Sequence, residues 1–354
     1  MMPLKAAVIG AGWFACECHI PALAARDDVI LDGVCRVGAA DLLRVRERFG
    51  FAFASEDYRE VLARKPDIVV VASPHKFHFE HATAALEAGA HVLCEKPMTL
   101  EPNEAWQLVR LADQVGRHLL IANSYNYLPH VASIRDRIAA GLIGDIEHVM
   151  CSFISATRDV FLGARGLDKW RAALFRPDDA TWRDPAAGGG FAYGQLSHSL
   201  ALMFFLTGLE PVRVSSSTCY RNDVDIADAA QLTLSNGAVA SISGAAAMPQ
   251  GHQALMRLFI AGSGGLVAMD FDLDSCEIRL NNGDVERLSL RPGEWTVDSA
   301  APVLALVDLA GGAGQNLSPG DIGAFTTSTI FSLLESGAKD GQPIQIRKPL
   351  DFRR

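Results

Sequence analysis

No stretch of the 354-residue sequence reads as a membrane span or a secretory leader. Its apolar N-terminus is broken by Lys5, Glu17, His19 and Pro21, well short of the ~20 apolar residues that a span needs. Positive charge is also scarce. Asp and Glu number 41 against 32 Lys and Arg, giving a net charge of −9, and no basic run interleaves with aromatics. That balance disfavours nucleic acid and anionic membranes as partners. Paired cysteines are lacking too. The seven (Cys16, Cys18, Cys35, Cys94, Cys151, Cys219 and Cys276) are odd in number and form no Cys-x-x-Cys. Neither a disulfide framework nor a zinc clip is indicated. Cys16 and Cys18, two apart on a helix, point in different directions. The expectation is a soluble, cytoplasmic protein with reduced, buried thiols.

What is present suffices for sizeable cores. Apolar residues make up 49% of a length that suggests about two domains. The most informative stretch is the start. An apolar run over residues 4–9 breaks into Gly10-Ala11-Gly12-Trp13-Phe14-Ala15 and then a helical pattern. In this strand–turn–helix context Gly10 permits the tight turn and Gly12 lets backbone approach a pyrophosphate. Ala15 lets the helix pack closely on the strand. The helix N-terminus then offers free N–H groups and a positive dipole end to phosphates.

Strand-like runs at 6–9, 29–35, 67–72, 91–94 and 118–122 alternate with helix-like runs at 14–25, 39–49, 78–88 and 102–115. This alternation predicts a doubly wound parallel α/β sheet, a Rossmann domain over 1–123. Beyond it the pattern changes. Short runs at 147–156, 212–220, 229–234, 238–244, 255–261, 266–271, 275–280 and 285–290 are separated by turns such as Asn236-Gly237 and Asn282-Gly283. These predict an α+β domain over 124–354 with a large, mostly antiparallel open sheet and helices near 130–140, 192–206 and 322–336. Residues 157–190 form a polar, loop-rich stretch whose length points to a functional loop.

A second constellation, Glu95-Lys96-Pro97, closes the fourth of the predicted strands at the carboxyl edge of the parallel sheet, where such sheets bind ligands. A lysine there can bond ribose hydroxyls and a substrate oxygen, and Pro97 stiffens the turn that aims it. Taken with the Gly10–Ala15 turn, the chain resembles the glucose–fructose oxidoreductase / inositol dehydrogenase / rhizopine-catabolism (Gfo/Idh/MocA) family. The likeness runs through Ala72-Ser73-Pro74-x-x-x-His78, Gly144-Asp145-Ile146, Trp182-Arg183-Asp184-Pro185, Gly188-Gly189-Gly190 with His198 eight residues on, and a closing Gly341-Gln342-Pro343-Ile344-Gln345-Ile346.

The resemblance implies a nicotinamide-dependent oxidoreductase acting on a hydroxyl or ketone carbon of a sugar, sugar acid or cyclitol. Lys96 matches the family's active-site lysine and His198 its proton-transfer histidine. Ser73, Pro74, His78 and Glu95 fall where the family closes over the cofactor, beside Gly10, Gly12, Trp13, Phe14 and Ala15. A homodimer or homotetramer through the C-terminal sheet is implied as well. One departure stands out. Many members carry an Asp four residues before the histidine, whereas here that position is Gly194, flanked by Tyr193 and Gln195 as candidate substrate ligands. Missing that carboxylate, the chain also fits a redox-neutral sugar-modifying enzyme (an isomerase, lyase or glycosidase type) with a tightly held nicotinamide. A non-catalytic sensor is disfavoured, since binding alone needs neither Lys96 nor His198.

The loop-rich stretch adds Arg158, Lys169, Trp170, Arg171, Arg176, Trp182 and Arg183, of which Arg176, Trp182 and Arg183 are candidate substrate ligands for a carboxylated or phosphorylated sugar. After the second strand the usual ribose-binding carboxylate is absent and Arg36 stands in its place, which favours NADP(H) over NAD(H). Asp41 reads as too far along the next helix to replace that carboxylate. His75, His78 and His81 recur every three residues, yet no fourth ligand or carboxylate accompanies them, so no metal is expected.

Overall fold

The computed structural model describes residues 2–164, 173–177, 179–291, 293–346 and 348. The chain divides into two compact units. The first takes in Met1–Ser124, Leu167–Thr181 and Asp298–Ala324, and the second Tyr125–Gly166, Trp182–Val297 and Phe325–Arg354.

In the first unit six strands form one parallel sheet: β1 (Leu4–Ile9), β2 (Val29–Cys35), β3 (Phe53–Ser55), β4 (Ile68–Val71), β5 (His91–Cys94) and β6 (Leu119–Ile121). Their order is β3-β2-β1-β4-β5-β6. This is the doubly wound arrangement in which the strand order reverses between β1 and β4, opening a crevice at their carboxyl ends. The β-branched run of β4 is wholly buried, as a strand covered on both faces requires.

The sequence pattern overlooked the short strand β3, the helix Tyr58–Leu62 and, most consequentially for packing, the helix Ala301–Ala310. Its Val303, Leu306 and Val307 join the core formed by Val8, Ile20, Leu23, Val70, Leu93 and Leu120. A single cut at 123/124 therefore does not describe the units. The reason is physical: the helix carries apolar side chains nearly all round, and such a run reveals neither its period nor the sheet it covers.

The second unit holds nine strands: β7 (Ile146–Ile154), β8 (Pro211–Arg221), β9 (Val224–Leu234), β10 (Val239–Ala245), β11 (Leu255–Gly262), β12 (Gly265–Asp270), β13 (Ser275–Leu280), β14 (Val285–Arg287) and β15 (Ile344–Gln345). They are ordered β14-β13-β12-β11-β7-β10-β9-β8-β15. Among the described residues only the β7–β10 pair is parallel, so the sheet is mostly antiparallel. Strand β10 alternates exposed and buried residues along its length, the signature of a sheet with one packed face and one bare face. The helix Ser197–Thr207 lies on the packed face, where the Cys151 thiol meets the Ser199 carbonyl.

Both helices that carry site residues begin differently from a regular α-helix. The Ile20 N–H bonds Ala15 O and the Ser197 N–H bonds Ala192 O, each five residues back, so Ala15–His19 and Ala192–Leu196 are π turns. One extra residue per turn widens the helix and re-aims the side chains after it. Such turns are frequent at functional sites.

Candidate functional site

In the first unit the glycine-rich turn separates into two roles. Gly10 has φ +89°, and a Cβ there would lie 2.2 Å from Ser73 N, so the loop after β4 seats directly against it. At Gly12 a Cβ would meet nothing nearer than Gly10 O at 3.9 Å. Glycine is thus required at position 10 by the protein itself, while at position 12 it leaves a cradle that a side chain would fill, as a pyrophosphate demands. Trp13 and Phe14, both half-buried, meet edge to face, and Phe14 continues edge-on to His19.

The turn after β5 is held from two sides. His19, fully buried, bonds Glu95 Oε1 through Nε2 at 2.7 Å, and the Lys96 N–H donates to Glu95 Oε2 at 3.1 Å. Burial opposes charge on Glu95. The His19 hydrogen bond, with the charges of His19, Lys96 and His78, outweighs it and holds the carboxyl below its ordinary pKa. On the other side His78, also fully buried, places Nδ1 2.7 Å from Pro97 O and Nε2 2.8 Å from Ser73 O. One imidazole thereby lies between carbonyls of the β4 and β5 loops; burial, the largest influence, pulls its pKa down against the two carbonyls, and the neutral ring donates to one of them while the charged ring donates to both. Lys96 is half-buried and precedes a cis peptide to Pro97. Ser73 Oγ bonds His81 Nδ1 at 2.9 Å, while Pro74 is exposed. His78 and His81 therefore spend ring nitrogens on different partners. Among the described residues no group of three His, Cys, Asp or Glu is placed to hold a metal.

Arg36 is engaged by backbone, carboxylate and ring together. Its Nη1 donates to Ala11 O at 2.9 Å and its Nη2 to Asp41 Oδ2 at 3.1 Å, and its guanidinium lies 3.7 Å over the Phe175 ring. Asp41 is not too far away, because the helix after β2 starts at Ala39, directly beyond Gly38, and puts Asp41 in its first turn. The end of β2 presents an arginine–carboxylate pair rather than a lone guanidinium.

In the second unit His198 is half-buried near the start of its helix, with the Tyr125 ring 6.0 Å and the Phe153 ring 6.1 Å away, both edge-on. Burial pushes the Tyr125 phenol up to about 12, so it is a neutral O–H at physiological pH. Sequence reasoning missed Tyr125. Its signal was position, four residues beyond the end of β6. Tyr193 is buried and its carbonyl accepts the Ser197 hydroxyl, whereas the Gln195 amide turns back to bond Gly194 O at 2.9 Å.

The glycine at 194 has a packing reason. A Cβ there would lie 3.2 Å from the Phe161 ring and 3.3 Å from Trp182. Two aromatic rings occupy the ground where many family members carry a carboxylate. Trp182 therefore stays with His198 and Tyr193 in this unit. Arg183 is exposed and packs on Gly163, and Arg158 is exposed too. Arg176 is exposed and belongs to the first unit. Lys169, Trp170 and Arg171 lie outside the described residues.

This sheet order, its glycine turn and the bonded β4 and β5 loops define the class of NAD-binding Rossmann proteins. The chain belongs to the GFO_IDH_MocA family. Residues 4–123 match the model described as oxidoreductase family, NAD-binding Rossmann fold, and residues 131–268 match the GFO/IDH/MocA C-terminal domain. Among curated relatives, D-glucoside 3-dehydrogenase of Escherichia coli (strain K12) is 35% identical over 145 residues, 41% of this chain and 41% of that protein. The NADP(+) D-xylose 1-dehydrogenase of Haloarcula marismortui is 31% identical over 218 residues, 60% of this chain and 56% of that one. Aligned segments thus span about two-fifths to three-fifths of these relatives. Among solved structures, an oxidoreductase domain protein from Kribbella flavida superposes with a TM-score of 0.81 at 23% identity, covering 98% of this chain and all (100%) of that one. Levoglucosan dehydrogenase, in complex with NADH and levoglucosan, gives 0.79 at 20% identity, covering 98% and 100% of the two chains. At these identities the structural likeness speaks for the fold.

Proposed function

We propose that the chain is an NAD(P)-dependent oxidoreductase that interconverts CH–OH and ketone at one carbon of a sugar, sugar acid or cyclitol. The observation that carries this reading is the β5 turn: a half-buried lysine between a carboxylate held by His19 and a proline carbonyl held by His78. A lysine is placed this firmly when its direction matters. The Gly10–Ala15 turn would hold the pyrophosphate, with Ser73, Pro74, His78 and Glu95 shaping the loops beside it. The nicotinamide, when bound, supplies the hydride chemistry. Lys96 stabilises negative charge on the reacting oxygen. His198 takes the alcohol proton on oxidation and returns it on reduction. Trp182, Tyr193 and Gln195 contact substrate, and the exposed Arg176 and Arg183 serve a carboxylate or phosphate on it.

Arg36 favours NADP(H), whose 2′-phosphate would take over the guanidinium that Asp41 now shares. NAD(H) is the alternative, with Asp41 as the ribose-bonding carboxylate. We also propose that the chain is a homo-oligomer through the bare sheet face. There Met150 and Val239 are 43% and 46% exposed, and Phe259 is the register partner of Met150.

The test is a turnover screen of sugars, sugar acids and cyclitols with each cofactor, reading nicotinamide absorbance and products. Reduced cofactor should accumulate and fall by about 10²- to 10⁴-fold in Lys96→Ala and His198→Ala. Turnover undiminished in both variants would overturn the assignment. The aromatic cover of Gly194 favours a second reading, a redox-neutral enzyme on the same scaffold. Product formed without net reduced cofactor, by protein that retains nicotinamide through dialysis, would put that reading first.

A further inference from the structure

Two buried carboxylates behind the His198 segment have no part in the chemistry above. Asp225 and Asp228 lie on β9, each 3% exposed. Asp225 Oδ2 accepts the Ala192 N–H at 2.6 Å. Its other oxygen sits where a Cβ on Gly190 would come within 1.9 Å, and Gly190 has φ +104°. The last glycine of Gly188-Gly189-Gly190 is thus the opening through which a side chain from a neighbouring strand reaches the start of the helical run 192–207. There a negative charge meets the free N–H groups and the positive dipole end.

Asp228 has no such partner. Neither of its oxygens accepts a hydrogen bond from a described residue, and the hydroxyl of Thr218, opposite in register, meets neither with bonding geometry. A bare carboxylate in that setting would be very costly. A protonated one has an acceptor at hand in Asp225: the register shift between Cys219 and Tyr220 makes Asp228 and Asp225 the partners of Thr218 and Tyr220, two apart on β8, so both carboxyls lie on one face of the sheet. Burial first, and then the charge of Asp225, pushes Asp228 up to about 8, and burial raises Asp225 as well.

We propose that Asp228 stays a neutral acid in the folded chain and donates its proton to the Asp225 carboxylate, the pair forming one singly charged cap that sets where the segment bearing Tyr193, Gln195 and His198 begins. Asp225 and Asp228 are positioning residues, acting through the 190–198 backbone. The short helix Arg158–Phe161 also packs on β9 and brings an exposed Arg158 and a half-buried Asp159. Strand β8 presents Thr218 and the Tyr220 phenol, itself raised by burial and then by the two carboxyls. Strand β10 presents Gly244 and Ala245 opposite Asp228 and Ala227. The helix Gly320–Ala338 presents Gly337 against Thr218, and the 190–192 segment presents backbone. Loss of the shared proton on the alkaline side would leave two adjacent buried charges, so the cap loosens as pH rises through about 8.

Isotope-edited infrared spectroscopy of the full chain with carboxyl-labelled aspartate tests the proton. A carboxylic-acid C=O band at neutral pH should be present in the wild type and absent in Asp228→Asn. The melting temperature of the wild type should fall between pH 6 and 9 relative to that variant, whose amide keeps donating without a proton to lose. Ring signals of His198 in nitrogen-labelled protein test the positioning. They should shift or broaden in Asp225→Ala and move less in Asp225→Asn, which keeps an acceptor for the Ala192 N–H. A wild type without the acid band, the same band in Asp228→Asn, or His198 signals unmoved in Asp225→Ala would overturn the proposal. The role given to His198 rests on the dehydrogenase reading, but none of these readouts needs turnover, so the two can fail separately.

Discussion

Lys96 and His198 are ordinary side chains made specific by what holds them. For Lys96 the holding group is Glu95, whose charge is favoured in the fold despite burial because His19 bonds it. Its pKa is lowered from 4.5, so the carboxylate stabilises the fold at neutral pH, and that contribution is lost as pH falls below 4.5. Glu95→Gln should therefore melt lower than the wild type at pH 7, with the gap closing toward pH 3. A gap independent of pH would contradict the assignment. At the end of β2 Arg36 bonds Asp41, and the proposed cofactor site there sets one guanidinium against one carboxylate. Arg36→Asp should shift the ratio of kcat/KM towards NAD(H) by about tenfold or more, about 1.4 kcal/mol. Asp41→Ala should shift it towards NADP(H). The guanidinium was legible in the sequence. Its carboxylate partner was not, because nothing in the residue string places the first turn of a helix against the strand that precedes it.

Among the elements, the glycine turn shows how one motif serves two masters. Gly10→Ala would drive a Cβ into the Ser73 backbone at a positive φ, so it should destabilise the protein by about 2 kcal/mol or more. Gly12→Ala meets open ground and should leave the melting temperature within a degree or two while raising the nicotinamide KM. Equal effects of the two changes on melting would refute the division of roles. The helix Ala301–Ala310 is the converse case, an element invisible as a motif yet central to packing. Leu306→Ala should cost about 2–5 kcal/mol by denaturant titration, since the side chain is fully buried in the core of the first unit. Both π turns also escaped the sequence pattern, which reads apolar spacing and cannot register one extra residue in a turn.

At the scale of the molecule, two units share one chain that leaves the first and returns to it late. The bare face of the nine-stranded sheet mixes small polar residues with Met150, Val239 and Phe259, a composition suited to a second sheet laid against it. Met150→Glu together with Val239→Glu should shift the species seen by light scattering from oligomer to monomer, with the circular dichroism spectrum kept. An unchanged mass would remove this face from the assembly.

Sequence alone showed the alternation of strands and helices through most of the first unit, the glycine turn and the mostly antiparallel character of the second sheet. These follow from local periodicity and from motifs whose residues are neighbours in the chain. Tertiary structure alone decided the His19–Glu95 and His78 ties, the Asp41 partner of Arg36, the aromatic cover of Gly194 and the Asp225–Asp228 pair behind Gly190. Each joins residues from separate elements, and whether their side chains meet depends on strand order, register and a turn's width, which local spacing does not encode.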